Sequence, residues 1–210
     1  MKKNIILKLL VLTGVVLGLA AAARADSSGS PAPVPASGAM GLLGQDYAGL
    51  TYRYIDLGNT AVHTDEYRFE FNQRLNPGLD GQLSFDWAES RSAGRQQAIM
   101  AGLRAFTTTT TWGKAYVEAG AGYTWAKGAG QRDNSLIWDV AVGAEFQAAP
   151  AVTVTPFIML QGTPDLARRS TVDFGLKANY WVNSQWAVTA GLDHDDHQNT
   201  GFMLGTNFRF

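Results

Sequence analysis

The chain has 210 residues, with 17 basic and 18 acidic side chains, no cysteine, 23 glycines and 23 aromatic residues. The lack of cysteine excludes disulfides and every thiolate nucleophile or metal ligand, and the near-zero net charge gives no electrostatic basis for binding nucleic acid. With 46% hydrophobic and 17% charged residues, the chain is also too apolar to be disordered throughout.

The first 25 residues have the pattern of an export signal. Lys2 and Lys3 form a basic start, residues 9–23 carry no charge, and residues 23–25 place alanine at both positions that a signal peptidase recognises. The uncharged stretch is shorter than the roughly 20 residues that a helix needs to cross a bilayer. The sequence therefore predicts a cleaved signal peptide over residues 1–25.

Residues 26–44 are rich in serine, alanine, glycine and proline. Three prolines within this stretch favour an extended, solvated chain, and the composition offers little to bury in a core. The sequence predicts a disordered leader over 26–44 that precedes the folded part of the protein.

From residue 45 onward, apolar residues recur at every second position, which is the spacing of a β-strand with two unlike faces. No stretch between these segments has a convincing helical period. The ten segments with this alternation lie at 48–54, 67–72, 83–88, 98–105, 115–125, 138–146, 154–160, 172–180, 186–193 and 202–210.

Alternation alone is compatible with a soluble β-sandwich that buries its apolar face. Three features favour the inverse arrangement, in which the apolar face meets lipid: aromatic residues near strand ends, glycines on the polar face, and connections that alternate between a longer and a shorter set. The aromatic residues are Tyr54, Trp87, Trp125, Trp138, Tyr180 and Trp186. The longer connections are expected at 58–66, 89–96, 127–135, 161–170 and 193–199.

These features predict an all-β fold, a closed antiparallel up-and-down transmembrane β-barrel over residues 45–210, with ten strands and eight as the second choice. A set of strands in lipid must close on itself, because no backbone group can be left unpaired there. An even strand count places both ends of the barrel chain on the same side, beside the shorter turns. Pro156 lacks an N–H group and predicts a bulge or a missing hydrogen bond in its strand.

The final segment GFMLGTNFRF, together with the export signal and the strand pattern, resembles the bacterial outer-membrane β-barrel proteins, which include small porin-like and outer membrane protein A-like barrels. The resemblance implies insertion into the outer membrane of a Gram-negative cell, among its lipid and lipopolysaccharide. It also implies recognition by the barrel-assembly machinery through one face of the last strand, formed by Phe202, Leu204, Phe208 and Phe210. Arg168 and Arg169, in a predicted loop, are candidates for contact with lipopolysaccharide phosphates.

The polar faces of the strands carry an unusual number of charges for the interior of a barrel. Such charges must pair with one another or remain in water, since an isolated buried charge is costly. They are Arg53, Arg68, Glu70, Asp86, Arg104, Glu118, Asp139, Glu145, Asp173, Lys177, Asp193 and Arg209. A water-filled lumen with this set would mildly favour cations and would lose that preference when Glu118 and Asp139 are neutralised.

The densest group of chemically versatile side chains is His194, Asp195, Asp196 and His197. It is a weak candidate for a divalent metal site, and together with Asp86 it has the residue types of the omptin family of outer-membrane proteases; hydrated loop charges explain it as well.

No Ser–His–acid set stands out in the sequence. We therefore expect no catalytic residues and no cofactor, and a non-enzymatic scaffold or surface protein with a narrow porin-like passage for small solutes. A barrel-mouth protease or a metal-binding surface protein is the alternative, and nothing in the sequence indicates an oligomeric state.

Overall fold

The computed structural model describes residues 41–58, 62–90, 94–107, 113–128, 131–163 and 170–210. The predicted signal peptide, most of the predicted leader, and Arg168 and Arg169 lie outside these residues. No helix that could span a membrane occurs within the described ranges.

Ten antiparallel strands form one closed barrel, which confirms the predicted fold and strand count. Each strand pairs with its neighbours in sequence, and β1 pairs with β10 to close the barrel. The strands are β1 (Tyr47–Leu57), β2 (His63–Asn76), β3 (Leu79–Ser90), β4 (Gly94–Phe106), β5 (Gly113–Gly128), β6 (Gln131–Ala149), β7 (Val152–Gly162), β8 (Thr171–Trp181), β9 (Trp186–Asp195) and β10 (Asn199–Arg209).

The closing pair runs from Tyr47 opposite Arg209 to Leu57 opposite Asn199. Both ends of the barrel chain therefore lie on one side, which we call the lower end. The chain also passes from β2 to β3, from β4 to β5, from β6 to β7 and from β8 to β9 at this end. At the opposite, upper end it passes from β1 to β2, from β3 to β4, from β5 to β6, from β7 to β8 and from β9 to β10.

The prediction of clearly longer connections at one end is wrong, because the strands take up most of the residues assigned to those loops. Strand β5 and strand β6 stay paired until Gly128 lies opposite Gln131, and β3 pairs with β4 until Ser90 lies opposite Gly94. The physical reason is that a strand needs an apolar outer face only where it would contact lipid. Beyond that layer, polar residues can continue the same hydrogen-bonded ladders. Hydrophobic alternation therefore marks where a strand changes environment and not where it ends.

The apolar faces of the strands point outward, as the alternation predicts. Large hydrophobic side chains are exposed around the whole barrel, among them Leu50 at 52%, Phe69 at 53%, Phe174 at 52% and Leu204 at 57%. A soluble sandwich would bury these side chains, whereas a closed barrel in lipid exposes them to the hydrocarbon. The outward face is thus the one that a membrane would cover.

Pro156 interrupts the ladder between β6 and β7. The pairing runs from Trp138 opposite Gly162 to Gly143 opposite Phe157 and resumes only at Phe146 opposite Val154. On its other side, Pro156 keeps its place opposite Leu176 of β8. The missing proline N–H group accounts for the gap, as predicted.

Candidate functional site: the polar lumen

Alternation in ten strands brings the predicted charged residues together inside the barrel. Ten of the twelve line a central cavity of about 580 Å³. The other two, Glu145 and Arg209, lie buried at the lower end. The cavity wall also carries Glu66 and Asp195, so that it holds eight carboxylates against four cationic side chains.

Three further charges face inward and were not predicted: Glu66, Asp80 and Lys114. Glu66 and Lys114 lie one step of two residues before the inward-facing Arg68 and Tyr116, and Asp80 lies two such steps before Ser84. Extending the period of two by one or two steps at the strand ends would have identified all three.

Arg53 and Arg68 are held by ion pairs in the upper half of the lumen. The Arg53 guanidinium binds both carboxylate oxygens of Asp193, with Nε 3.0 Å from Oδ2, and lies 3.4 Å from Glu66. The Arg68 guanidinium donates to Asp86 in the same two-pronged way, at 2.6 and 3.1 Å. Two parallel hydrogen bonds between a guanidinium and a carboxylate satisfy the charged groups of both side chains within the confined lumen.

Arg104 is the centre of a second network, lower in the lumen. Its guanidinium lies 2.7 Å from Glu118 and 3.9 Å from Glu70, and it donates to the Tyr47 hydroxyl at 3.4 Å. The Tyr47 hydroxyl in turn donates a short hydrogen bond to Glu70. This network ties four strands together across the interior of the barrel.

A neutral polar layer follows, closer to the lower end. Asn207 donates to Thr189 at 2.7 Å, and Thr189 donates to Asn179 at 2.6 Å. All three side chains are buried. Their mutual hydrogen bonds satisfy polar groups that water reaches poorly.

Asp139, Asp173 and Lys177 line the cavity without a counterion in contact. Among the described residues, no ion pair involves any of the three; Asp173 accepts a hydrogen bond from Gln161 at 3.0 Å, and the Lys177 ammonium lies 5.1 Å from the Phe157 ring centre. The two carboxylates contribute to the excess of negative charge in the cavity. The interior thus combines ion pairs that brace the wall with carboxylates that face the open space.

The metal candidates are only partly brought together. Asp195, Asp196 and His197 each place one ligand atom within 4.8 Å of the others. The Asp195 carboxylate already accepts hydrogen bonds from the backbone of His197 and Asn199, at 2.9 and 2.8 Å, and from the Asn199 side chain. This carboxylate therefore shapes the β9–β10 turn.

The remaining two residues of the predicted mouth site lie apart from that group. His194 is on the opposite face of β9 from Asp195 and contacts Thr200 at 3.0 Å. Asp86 is held by Arg68 within the lumen. Among the described residues, no contact joins Asp86 to either histidine of the cluster.

A segment of the predicted leader packs inside the lower end of the barrel. Residues 41–44 form a turn against the inner wall, and Leu43 is only 3% exposed. Below the central cavity, Leu42 and Leu43 help to line a second space of about 70 Å³. These four residues thus pack with the barrel, although the sequence placed them in the disordered leader, because an isolated pair of leucines carries no strand period.

No protein-family model matches this sequence, and a search of curated proteins gives no match. Among solved structures, the KdgM porin is 10% identical, with a TM-score of 0.46 over 77% of this chain and 99% of that one. The NanC porin is 10% identical, with a TM-score of 0.49 over 78% of this chain and 100% of that one. The β domain of the Bordetella autotransporter BrkA is 13% identical, with a TM-score of 0.47 over 79% of this chain and 99% of that one.

The chain therefore resembles small barrels of porins and autotransporters. The closed pairing of ten antiparallel strands defines the fold of this chain.

Proposed function

We propose that this chain is a non-enzymatic bacterial outer-membrane β-barrel that admits small solutes, cations above all, into a polar lumen from its upper end. The observation that carries the proposal is the central cavity of about 580 Å³, with its excess of carboxylates, inside a barrel whose outer face is apolar. A cleft with a net negative charge and low-dielectric walls raises the local concentration of cations.

The membrane part of the proposal is supported by the two faces of the barrel. The outer surface is apolar along the strands, while the interior holds paired charges, and a closed ladder leaves no backbone edge for lipid to desolvate. Outer-membrane lipid and lipopolysaccharide are the surroundings we propose for the outer face, reached after removal of a signal peptide.

The last strand supports a role for the barrel-assembly machinery as the insertion partner. Phe202, Leu204, Phe208 and Phe210 share its outer side, and Leu204 and Phe210 are 57% and 60% exposed. Phe208 packs against Trp186, with ring centres 4.7 Å apart. We propose that the assembly machinery recognises this apolar face of β10 before β10 pairs with β1.

Charge-selective entry into the lumen is tested by thiol labelling. Because the chain has no cysteine, Ser84→Cys gives a single reporter on the cavity wall. In refolded barrels, we expect a cationic methanethiosulfonate to label this thiol about tenfold faster than an anionic one, since charged clefts raise counterion encounter by at least this factor.

Asp139→Asn combined with Asp173→Asn should bring the two labelling rates close together, because it removes the carboxylates that lack a counterion. Asp56→Asn combined with Glu89→Gln is the matched control, since it removes two negative charges outside the lumen near the same end. Equal rates for the two reagents in the Ser84→Cys barrel would contradict the proposed cation preference, and failure of both to react would contradict entry itself.

A further inference from the structure

The turn formed by residues 41–44 is hydrogen-bonded to charged side chains of the barrel wall. The backbone N–H groups of Leu42 and Leu43 donate to Glu145, at 2.7 and 3.4 Å, and that of Gly44 donates to Asp80 at 2.9 Å. Glu145 is 6% exposed and Asp80 is fully buried. Carboxylates this deeply buried need hydrogen-bond donors, and here backbone N–H groups of the turn supply them.

The carbonyl groups of this turn, and that of Gln45 directly after it, are bound by cationic and amide side chains. Lys114 donates to the Leu43 carbonyl at 2.7 Å, Asn72 donates to the Gln45 carbonyl at 2.7 Å, and Arg209 donates to the Gly41 carbonyl. Arg209 is also stacked 3.7 Å above the Trp181 ring. The wall therefore recognises a peptide backbone through both its donors and its acceptors.

The apolar side chains of the turn complete the fit. Leu43 is nearly fully buried, and Leu42 packs against Trp181 and Ala187, the buried apolar pair at the lower end. The groups that bind the backbone come from five strands, β2, β3, β5, β6 and β10. We call the surface formed by Asn72, Asp80, Lys114, Glu145 and Arg209 the seat, and it exists only when the barrel is closed.

We propose that the lower mouth is a binding site for a short apolar peptide turn, and that residues 41–44 are its resident occupant and close the lumen as a stopper. This inference rests on the proposed function, because closure matters only if solutes enter the lumen. The occupant is defined by its chemistry: two leucines between two glycines, whose backbone N–H and carbonyl groups bind side chains of the wall.

Substitution of the two glycines of the turn should displace the turn from the lower mouth without altering the barrel wall. Gly41 and Gly44 have φ angles of +112° and +78°, which side-chain-bearing residues rarely adopt. A Cβ atom on Gly41 would lie 2.5 Å from Cδ of Glu145, and one on Gly44 would lie 2.9 Å from Cζ of Phe106. The double variant Gly41→Val and Gly44→Val should therefore leave the seat empty.

The seat itself is tested by labelling Leu43→Cys in the full mature chain, with Ser84→Cys as the accessible reference. We expect the thiol at position 43 to react at least about tenfold more slowly than the thiol at position 84 in the native background, as expected for a site that reacts only after local opening. In the double-valine background the two should react at similar rates. Labelling at position 43 as fast as at position 84 in the native background would overturn the seat.

Closure is tested by single-channel conductance of the same proteins, refolded into bilayers and checked by heat-dependent gel mobility. The native barrel should be silent or nearly so, and the double-valine barrel should show discrete steps. Adding the peptide GLLG, blocked at both ends, to the lower side should reduce those steps, and Glu145→Gln should abolish that block. Gly81→Ala is the matched control, because its Cβ would meet only the flexible Leu75 side chain, at 3.3 Å, on the outer face of the same end.

The outcomes separate the two proposals. A double-valine barrel that stays silent while the thiol at position 84 still labels overturns the stopper and leaves solute entry supported. A thiol at position 84 that does not label overturns solute entry; faster labelling at position 43 in the double-valine background than in the native background still supports the seat in that case. If the valine pair prevents folding, Glu145→Gln weakens the same seat from the wall side and should raise both labelling at position 43 and conductance.

Discussion

Replacing Val140 by arginine should destabilise the barrel by about 2–4 kcal/mol, the cost of a charge on the lipid face near the middle of a bilayer. Val140 lies at the centre of β6 and is 41% exposed on the outer side. The free energy of unfolding in lipid vesicles, measured by urea titration of tryptophan fluorescence, checks this.

Gln97→Arg is the control for depth in the membrane. Gln97 lies on the outer face between Trp87 and Trp125 in the strand register, at the level where aromatic residues mark the interface. Arginine there should cost about 0–1 kcal/mol. Equal costs at the two positions would contradict the placement of an apolar layer across the middle of the barrel.

Replacing Arg104 by methionine should also have a large effect, about 3 kcal/mol of stability or more. The substitution leaves Glu118 and Glu70 in the interior without the guanidinium that binds them, and an uncompensated buried charge is strongly destabilising. Arg104 is 14% and Glu118 19% exposed, so bulk water compensates little of this loss.

Adding Glu118→Gln to Arg104→Met should recover part of the loss, because the double variant no longer contains the carboxylate closest to the missing cation. Arg95→Met is the matched control: Arg95 is exposed at the upper end and lies 4.5 Å above the Trp87 ring, an interaction worth about 1 kcal/mol or less at an exposed site. A loss at Arg104 no larger than that at Arg95 would show that the lumen network does not support the barrel.

The strand pattern predicted the faces of the barrel because the side-chain period of a strand is fixed at two. Once Leu83, Phe85 and Trp87 are assigned to one face, Asp86 must lie on the other, and the structure places it on the cavity wall. The interruption of the ladder at Pro156 was predicted from a different property. Proline has no backbone N–H group, and this is known from the residue alone.

The partners of the charged residues could not be predicted, because they depend on closure. Arg53 binds Asp193, which lies 140 positions later in the chain, only because β10 returns to pair with β1, so that β9 lies on the far side of β10. The sequence predicted that the charges would pair but contained no information on register between distant strands.

The seat of residues 41–44 was missed for a different reason. The turn is held mainly through its backbone, and backbone donors and acceptors leave no compositional signal. What the sequence did contain was Glu145 and Arg209 on inward positions at the lower end, two buried charges that needed a partner.

The most direct test of the membrane barrel is a cysteine scan of β6 over residues 139–144 with an environment-sensitive fluorophore, in barrels refolded into lipid vesicles. The scan needs no background substitutions, because the chain contains no cysteine. We expect blue-shifted emission and quenching by brominated lipid at positions 140, 142 and 144, and neither at 139, 141 and 143. Emission without this alternation, or quenching at the odd positions instead, would contradict a barrel with its apolar face in lipid.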